Sequence, residues 1–214
     1  WIIDAAVSSG WGVVSGGARG IDARAHHECL SRRGVTVAVL GSGLSRLYPP
    51  EHSNLFGKIV EQGGCLLSEY EDDAPPRPWR FPQRNRLISA LSEAVMVVQA
   101  AEKSGGLVTA RIAAEVHGKD VLAVPGSVGS AEWAGSNRLL RDGALMVADQ
   151  GAEPPTPPPG RRRLAQERSR ALPGRSSAYF VLFSVLSLLF CLPSARFGTI
   201  STSCWSPWDL KNIA

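Results

Sequence analysis

Cysteine is scarce in this sequence and is spaced for no shared purpose. Cys29, Cys65, Cys191 and Cys204 form no C-x-x-C pair. That argues against a zinc site or a disulfide framework and leaves them as small buried hydrophobes. Catalytic constellations are equally thin. His26 and His27 are adjacent, so they face different sides of a helix, and each reads as a buried or surface histidine rather than a base. Glu69 follows an apolar run and has the chemistry of a general base, but no nucleophile or second carboxylate is placed with it. Asp22, three residues after Arg19, either holds that arginine or caps a helix. No Gly-Lys-Ser/Thr closes any glycine turn, and no complete G-x-G-x-x-G has an acidic residue at the required distance. ATP hydrolysis and ordinary NAD binding are therefore disfavoured. The expectation is no catalytic residue, no metal and no cofactor.

A signal peptide is also missing, and the chain starts at Trp1 without a methionine. It reads as a fragment of a cytoplasmic protein. Charge of one sign is missing where it would matter most. The formal net charge is +4, but residues 151–214 carry eight Lys/Arg against three Asp/Glu, while residues 1–150 carry fifteen against sixteen. A polyanion partner must be argued from local clustering in the first part, not from the total.

What is present falls into two unlike parts. Up to residue 148, short apolar runs alternate with helical stretches: Val13-Val14, Val35 to Leu40, Cys65 to Leu67, Ala94 to Val98, Val121 to Val124 and Ala144 to Val147. Unalternating, β-branched runs separated by helices predict an α/β domain, a doubly wound, mostly parallel sheet with helices on both faces. Ligands of such sheets bind at the C-terminal strand ends. From residue 149 the character changes. "AEPPTPPPG" is a proline-rich linker, "RRRLAQERSR" a basic run, and Ala178 to Leu192 are fifteen uncharged, mostly apolar residues. A spanning helix needs about twenty, so no membrane is expected, and an anchor over 178–192 is the lesser alternative. Residues 149–214 read as a tail foreign to the domain, of the kind an out-of-frame reading or a gene junction produces.

Glycine turns stand at the ends of four runs. "SGGARGID", Ser15 to Asp22, lies between a strand and a helix starting at Ile21. Ser15, Gly16 and Gly17 let the backbone approach an anion, and Arg19 brings charge. "LGSGLSRLYP" follows the second run and contributes Gly41 and Gly43. "KSGGLVTA" opens a helix: Ser104, Gly105 and Gly106 offer N–H groups, and Thr109 a hydroxyl in its first turn. A plain N-cap by Ser104 explains that turn equally well. "VPGSVGS" is the fourth. One such turn is weak evidence; four at equivalent strand ends point to a phosphate-bearing ligand. "RFPQRNR" adds Arg80, Arg84 and Arg86, with Asn85 between two arginines and Phe81 and Trp79 beside them. Arginines interleaved with rings suit a single strand, guanidinium on phosphate and ring on an unstacked base. Scattered surface arginines on a helix start are the plainer alternative.

The segments "SGGARGIDARAH", "TVAVLGSGLSRLYPPEH", "LLSEY", "FPQRNRLISALS", "SGGLVTA" and "VLAVPG" resemble, in order and spacing, the DprA (Smf) family of DNA-processing proteins over roughly residues 1–148. The resemblance implies a Rossmann-like domain that binds single-stranded DNA, loads the RecA recombinase during natural transformation, acts as a homodimer and performs no catalysis. It implies that Arg19 and Arg84-Asn85-Arg86 line the groove, Phe81 meets a base and Ser104 to Thr109 hold phosphate. Gly17 stands where the family has a larger apolar residue, and Gln99 where it has an acidic one. The family's earlier glycine motif, N-terminal to Trp1, is absent, which implies an N-terminally truncated sheet lacking its first strand. The rival reading is a nucleotide-binding or nucleotide-hydrolysing enzyme of the related phosphoribohydrolase group, whose PGGxGTxxE motif "SGGLVTARIAAE" does not match in spacing.

Overall fold

A computed structural model describes residues 1–148 and 179–184. The first helix, α1 (Ile2–Ser8), turns Ile3 and Ala6 inward and leads into β1 (Trp11–Ser15). There follow α2 (Ile21–Ser31), β2 (Thr36–Leu40), a 3-10 turn (Pro50–His52), α3 (Ser53–Glu61) and β3 (Cys65–Ser68). The second half runs α4 (Arg80–Ala90), β4 (Ala94–Val97), α5 (Gly105–Glu115), β5 (Asp120–Ala123), α6 (Ala134–Arg141) and β6 (Leu145–Met146). All six apolar runs form strands.

Every strand pairing is parallel, and the sheet order is β3-β2-β1-β7-β4-β5-β6. The seventh strand, β7 (Tyr179–Ser184), comes from the apolar stretch of the tail. It lies between β1 and β4, with Val181 in register with Val13 on one side and Ala94 on the other. The proline-rich linker, the basic run and the rest of 178–192 lie outside the described residues. Among the described residues no helix is long and apolar enough to cross a membrane.

Both faces of the sheet are covered except at the edge strand β6, whose Leu145 and Met146 are exposed, and this cover is why the inner strands carry no polar alternation. All five residues of β1 and all five of β2 are buried. Successive side chains alternate between faces. Val14, Val37, Val39, Val95 and Val97 pack with Leu87 and Ile88 of α4 and Ala110 and Ala113 of α5. Val13, Trp11, Ala94 and Met96 pack with Ile3, Ala6, Ala25 and Cys29 of α1 and α2. Ala38, Leu40 and Leu66 pack with Leu55, Phe56 and Ile59 of α3. Full burial of a side chain such as Phe56 or Ile88 stabilises the fold by about 1.5–3 kcal/mol. The winding reverses between the β1-β2-β3 half and the β4-β5-β6 half, so the crevice of a doubly wound sheet falls beyond the C-terminal ends of β1 and β4.

Candidate nucleic-acid interface

The turn after β1 is built around two close approaches. Gly17 has φ +66°, in the left-handed region, and a Cβ there would stand 2.6 Å from the Phe56 ring. Phe56 of α3 thus occupies the room that a larger residue at position 17 needs. A Cβ on Gly16 would meet the guanidinium of Arg84 at 2.5 Å. Asp22, in the first turn of α2, accepts a hydrogen bond from the Ala18 amide at 3.2 Å.

Arg84 differs from the solvent-facing cation expected of an arginine-rich helix start. It is 4% exposed, and its Nη1 donates to the carbonyls of Gly16, at 2.8 Å, and of Val39. It ties the ends of β1 and β2 to α4. Burial pushes its guanidinium down to about 10, with the nearby Asp22 charge opposing, so it remains a cation at neutral pH. Asn85 is also buried, and its Oδ1 has no hydrogen-bond partner, nor does Arg84 Nε. Arg86 is exposed and pairs with Glu69, the residue after β3.

The face that solvent reaches is a line of rings and cations. Arg19 is exposed; its Nε donates to Glu51 Oε1 at 2.5 Å and its Nη1 to the Tyr48 hydroxyl at 3.3 Å. The glutamate therefore takes the role that sequence offered to Asp22. The Arg19 guanidinium lies 5.5 Å from the Tyr48 ring centroid, and the Tyr48 and Phe81 rings are 5.5 Å apart, tilted by 43°. Behind this exposed row the buried Arg84 guanidinium lies 5.9 Å from the Phe81 ring centroid. Gly41 makes this possible, because a Cβ there would sit 2.7 Å from Phe81. Beside this line Arg80 lies between the rings of Tyr70 at 4.5 Å and the exposed Trp79 at 5.1 Å.

Other expected residues take different places. Gly43 is a packing glycine: its amide donates to the Ala74 carbonyl at 2.9 Å, and a Cβ would strike the Glu71 carbonyl at 2.1 Å. Ser15 is buried in β1. Ser104 caps α5, accepting from the Gly106 amide at 3.3 Å, while Gly105 faces open space. Thr109 is fully buried, and its hydroxyl turns back to the Gly105 carbonyl. It does not stand at the mouth of the helix. Ser104 to Thr109 belong to the β4 half, separated in the sheet from the β1 turn by β7. The structure thus joins Gly16, Gly41, Phe81 and Arg84 directly, and Arg19 to them through Tyr48, while Gly17 packs against Phe56. It adds Tyr48 and Glu51, which sequence reasoning did not single out. An aromatic and a carboxylate closely following a glycine turn at a strand end were the available signal.

Residues 2–153 match the family described as DNA recombination-mediator protein A. The chain is 47% identical over 137 residues to Protein Smf of Escherichia coli, covering 64% of this chain and 36% of that protein. It is 43% identical over 138 residues to DNA processing protein DprA of Bacillus subtilis, covering 64% and 46%. Against these relatives the chain spans about a third to a half of their length. A solved structure of DNA processing protein A from Streptococcus pneumoniae superposes with a TM-score of 0.59 at 39% identity, over 64% of this chain and 48% of that one. Another, from Helicobacter pylori and described for its single-stranded DNA binding mode, gives 0.61 at 34% identity, over 69% and 67%.

Proposed function

The chain belongs to the DNA recombination-mediator protein A family, and from that premise we propose that it binds single-stranded DNA across the C-terminal ends of β1 and β2. The observation that carries the reading is the line Arg19–Tyr48–Phe81–Arg84. Its outer cation faces solvent beside two rings, and its inner cation is buried beneath them. Phosphate approaches Arg19 at the exposed rim of the glycine turn, and an unstacked base lies on the Phe81 and Tyr48 rings. Arg84 acts from beneath, holding Gly16 and Phe81 in place. The exposed Arg86 and the α5 N-terminus at Gly105 extend the positive edge, while the buried Asn85 holds the α4 backbone in place behind it. Loading of RecA onto the bound strand and assembly as a homodimer complete the proposal, and both rest on family membership. The protein acts by binding, without catalysis.

The test is fluorescence anisotropy with a labelled oligothymidylate and with a blunt duplex of the same length. Preference for the single strand, lost in Phe81→Ala, is the expected result. Equal affinity for duplex, or an unchanged single-strand affinity in that variant, overturns the groove. A thermal shift with free nucleotides but not with oligonucleotide favours the enzyme-like alternative.

A further inference from the structure

Arg19, the outermost cation of this line, already holds an anion. Its Nε donates to Glu51 Oε1 at 2.5 Å, where guanidinium and carboxylate side chains are 60% and 48% exposed. Glu51 does not meet Arg19 by chance of a flexible loop. It sits in the 3-10 turn Pro50–His52, and the next residue, His52, donates from Nδ1 to the Gly17 carbonyl at 2.9 Å. Ser53 fastens the turn further, donating to the Pro50 carbonyl at 2.6 Å. The segment bearing the carboxylate is thereby tied to the same glycine turn that bears the arginine.

We propose that Glu51 is a built-in competitor for the phosphate at Arg19 and so sets the affinity of the site. The proposal rests on the single-stranded DNA reading given above. A carboxylate oxygen on Nε occupies the position a phosphate oxygen takes. The Arg19 hydrogen bond holds the Glu51 carboxyl below its ordinary range, so it is an anion wherever DNA is bound at neutral pH. Binding then requires Glu51 to give up Arg19, and the displaced carboxylate faces an incoming phosphate of like sign. Both effects oppose binding. Because the pair is exposed, exchange costs little, and Glu51 tunes the site rather than closing it.

The experiment measures affinity of the full chain for a labelled oligothymidylate in a double-mutant cycle. Glu51→Gln is expected to tighten binding by about two- to fivefold, the scale of one exposed ion pair. In the Arg19→Ala background the same substitution is expected to gain clearly less, because no guanidinium remains to compete for and only the like-charge repulsion is relieved. Glu61→Gln, an equal change of net charge on α3, serves as the control and is expected to leave affinity alone. Unchanged or weaker binding by Glu51→Gln overturns the proposal, as does an equal gain in the Arg19→Ala background or in Glu61→Gln. Melting curves of all variants establish that they are folded. Absence of binding by the unaltered chain overturns the single-stranded DNA reading itself, and this proposal with it.

Discussion

The Arg84 guanidinium donates to the carbonyl of Gly16, sixty-eight residues away in the chain, at 2.8 Å. A buried cation thus braces the turn that was expected to cradle phosphate. Removing it strands two backbone carbonyls, those of Gly16 and Val39, and opens a void under Phe81. Arg84→Ala is expected to destabilise the fold by about 2–4 kcal/mol, as for loss of charge-assisted bonds in the interior. Gly16→Ala should be damaging too, since its Cβ falls 2.5 Å from the guanidinium. The two effects should be less than additive, because each breaks the same contact. Denaturant melts of the single and double variants check this; a cold-stable Arg84→Ala with wild-type midpoint sinks it.

The sheet was legible because strands buried on both faces must be apolar throughout, and that shows locally in runs such as Thr36–Leu40. The site was legible only in part. Arg80, Arg84 and Arg86 look alike as letters, and their fates differ. One signal was there: Arg84 precedes Leu87 and Ile88 by three and four residues, which puts it on the buried face of α4. Tyr48 and Glu51 meet Arg19 across 29 and 32 residues of chain. No periodicity reports such a loop-to-loop contact. The place of Tyr179–Ser184 inside the sheet was hidden for a related reason, since pairing register across a long linker leaves no trace in composition.

Arg19 is the reverse case of Arg84. Its side chain is exposed and supports no buried group. Arg19→Ala is expected to leave the melting temperature nearly unchanged while weakening oligonucleotide binding by about tenfold, the scale of one charge-assisted contact. Arg19→Lys should recover part of the loss, keeping the charge without the planar fork. A large fall in melting temperature at unchanged affinity per folded molecule would assign Arg19 to the fold instead.

His26 gives the fold a pH dependence of its own. It is fully buried, with Nδ1 against the Thr36 hydroxyl at 2.7 Å, while that hydroxyl donates to the Val13 carbonyl. Nδ1 is therefore the protonated nitrogen, and Nε2 is a buried acceptor with no partner. Burial pushes its pKa down to about 3. The unfolded chain takes up a proton near the ordinary histidine value and the folded chain does not, so stability rises with pH through this window. Stability is expected to fall as pH drops from about 6.5 to about 3, at up to about 1.4 kcal/mol per pH unit from this residue. His26→Gln should flatten that slope relative to the parent. Parallel stability–pH curves for the two proteins would show that His26 contributes nothing to it.

The last prediction concerns β7. Each half of the sheet, β1-β2-β3 and β4-β5-β6, is bonded to the other only through Tyr179–Ser184 among the described strands. A central strand hydrogen-bonds on both edges, so proline there loses a ladder bond and clashes with its neighbours. Val181→Pro, in register with both Val13 and Ala94, is expected to destabilise the protein by about 3 kcal/mol or more. Hydrogen exchange separates the effect from general damage: amides of β1 and β4 should lose protection together, before those of β2 and β3. Deletion of residues 151–214 should do the same more severely. The rival view is that the tail is foreign to the domain, as its composition suggests. On that view Val181→Pro and the deletion both leave the melting temperature and the β1 and β4 protection where they were, and the sheet then closes without β7.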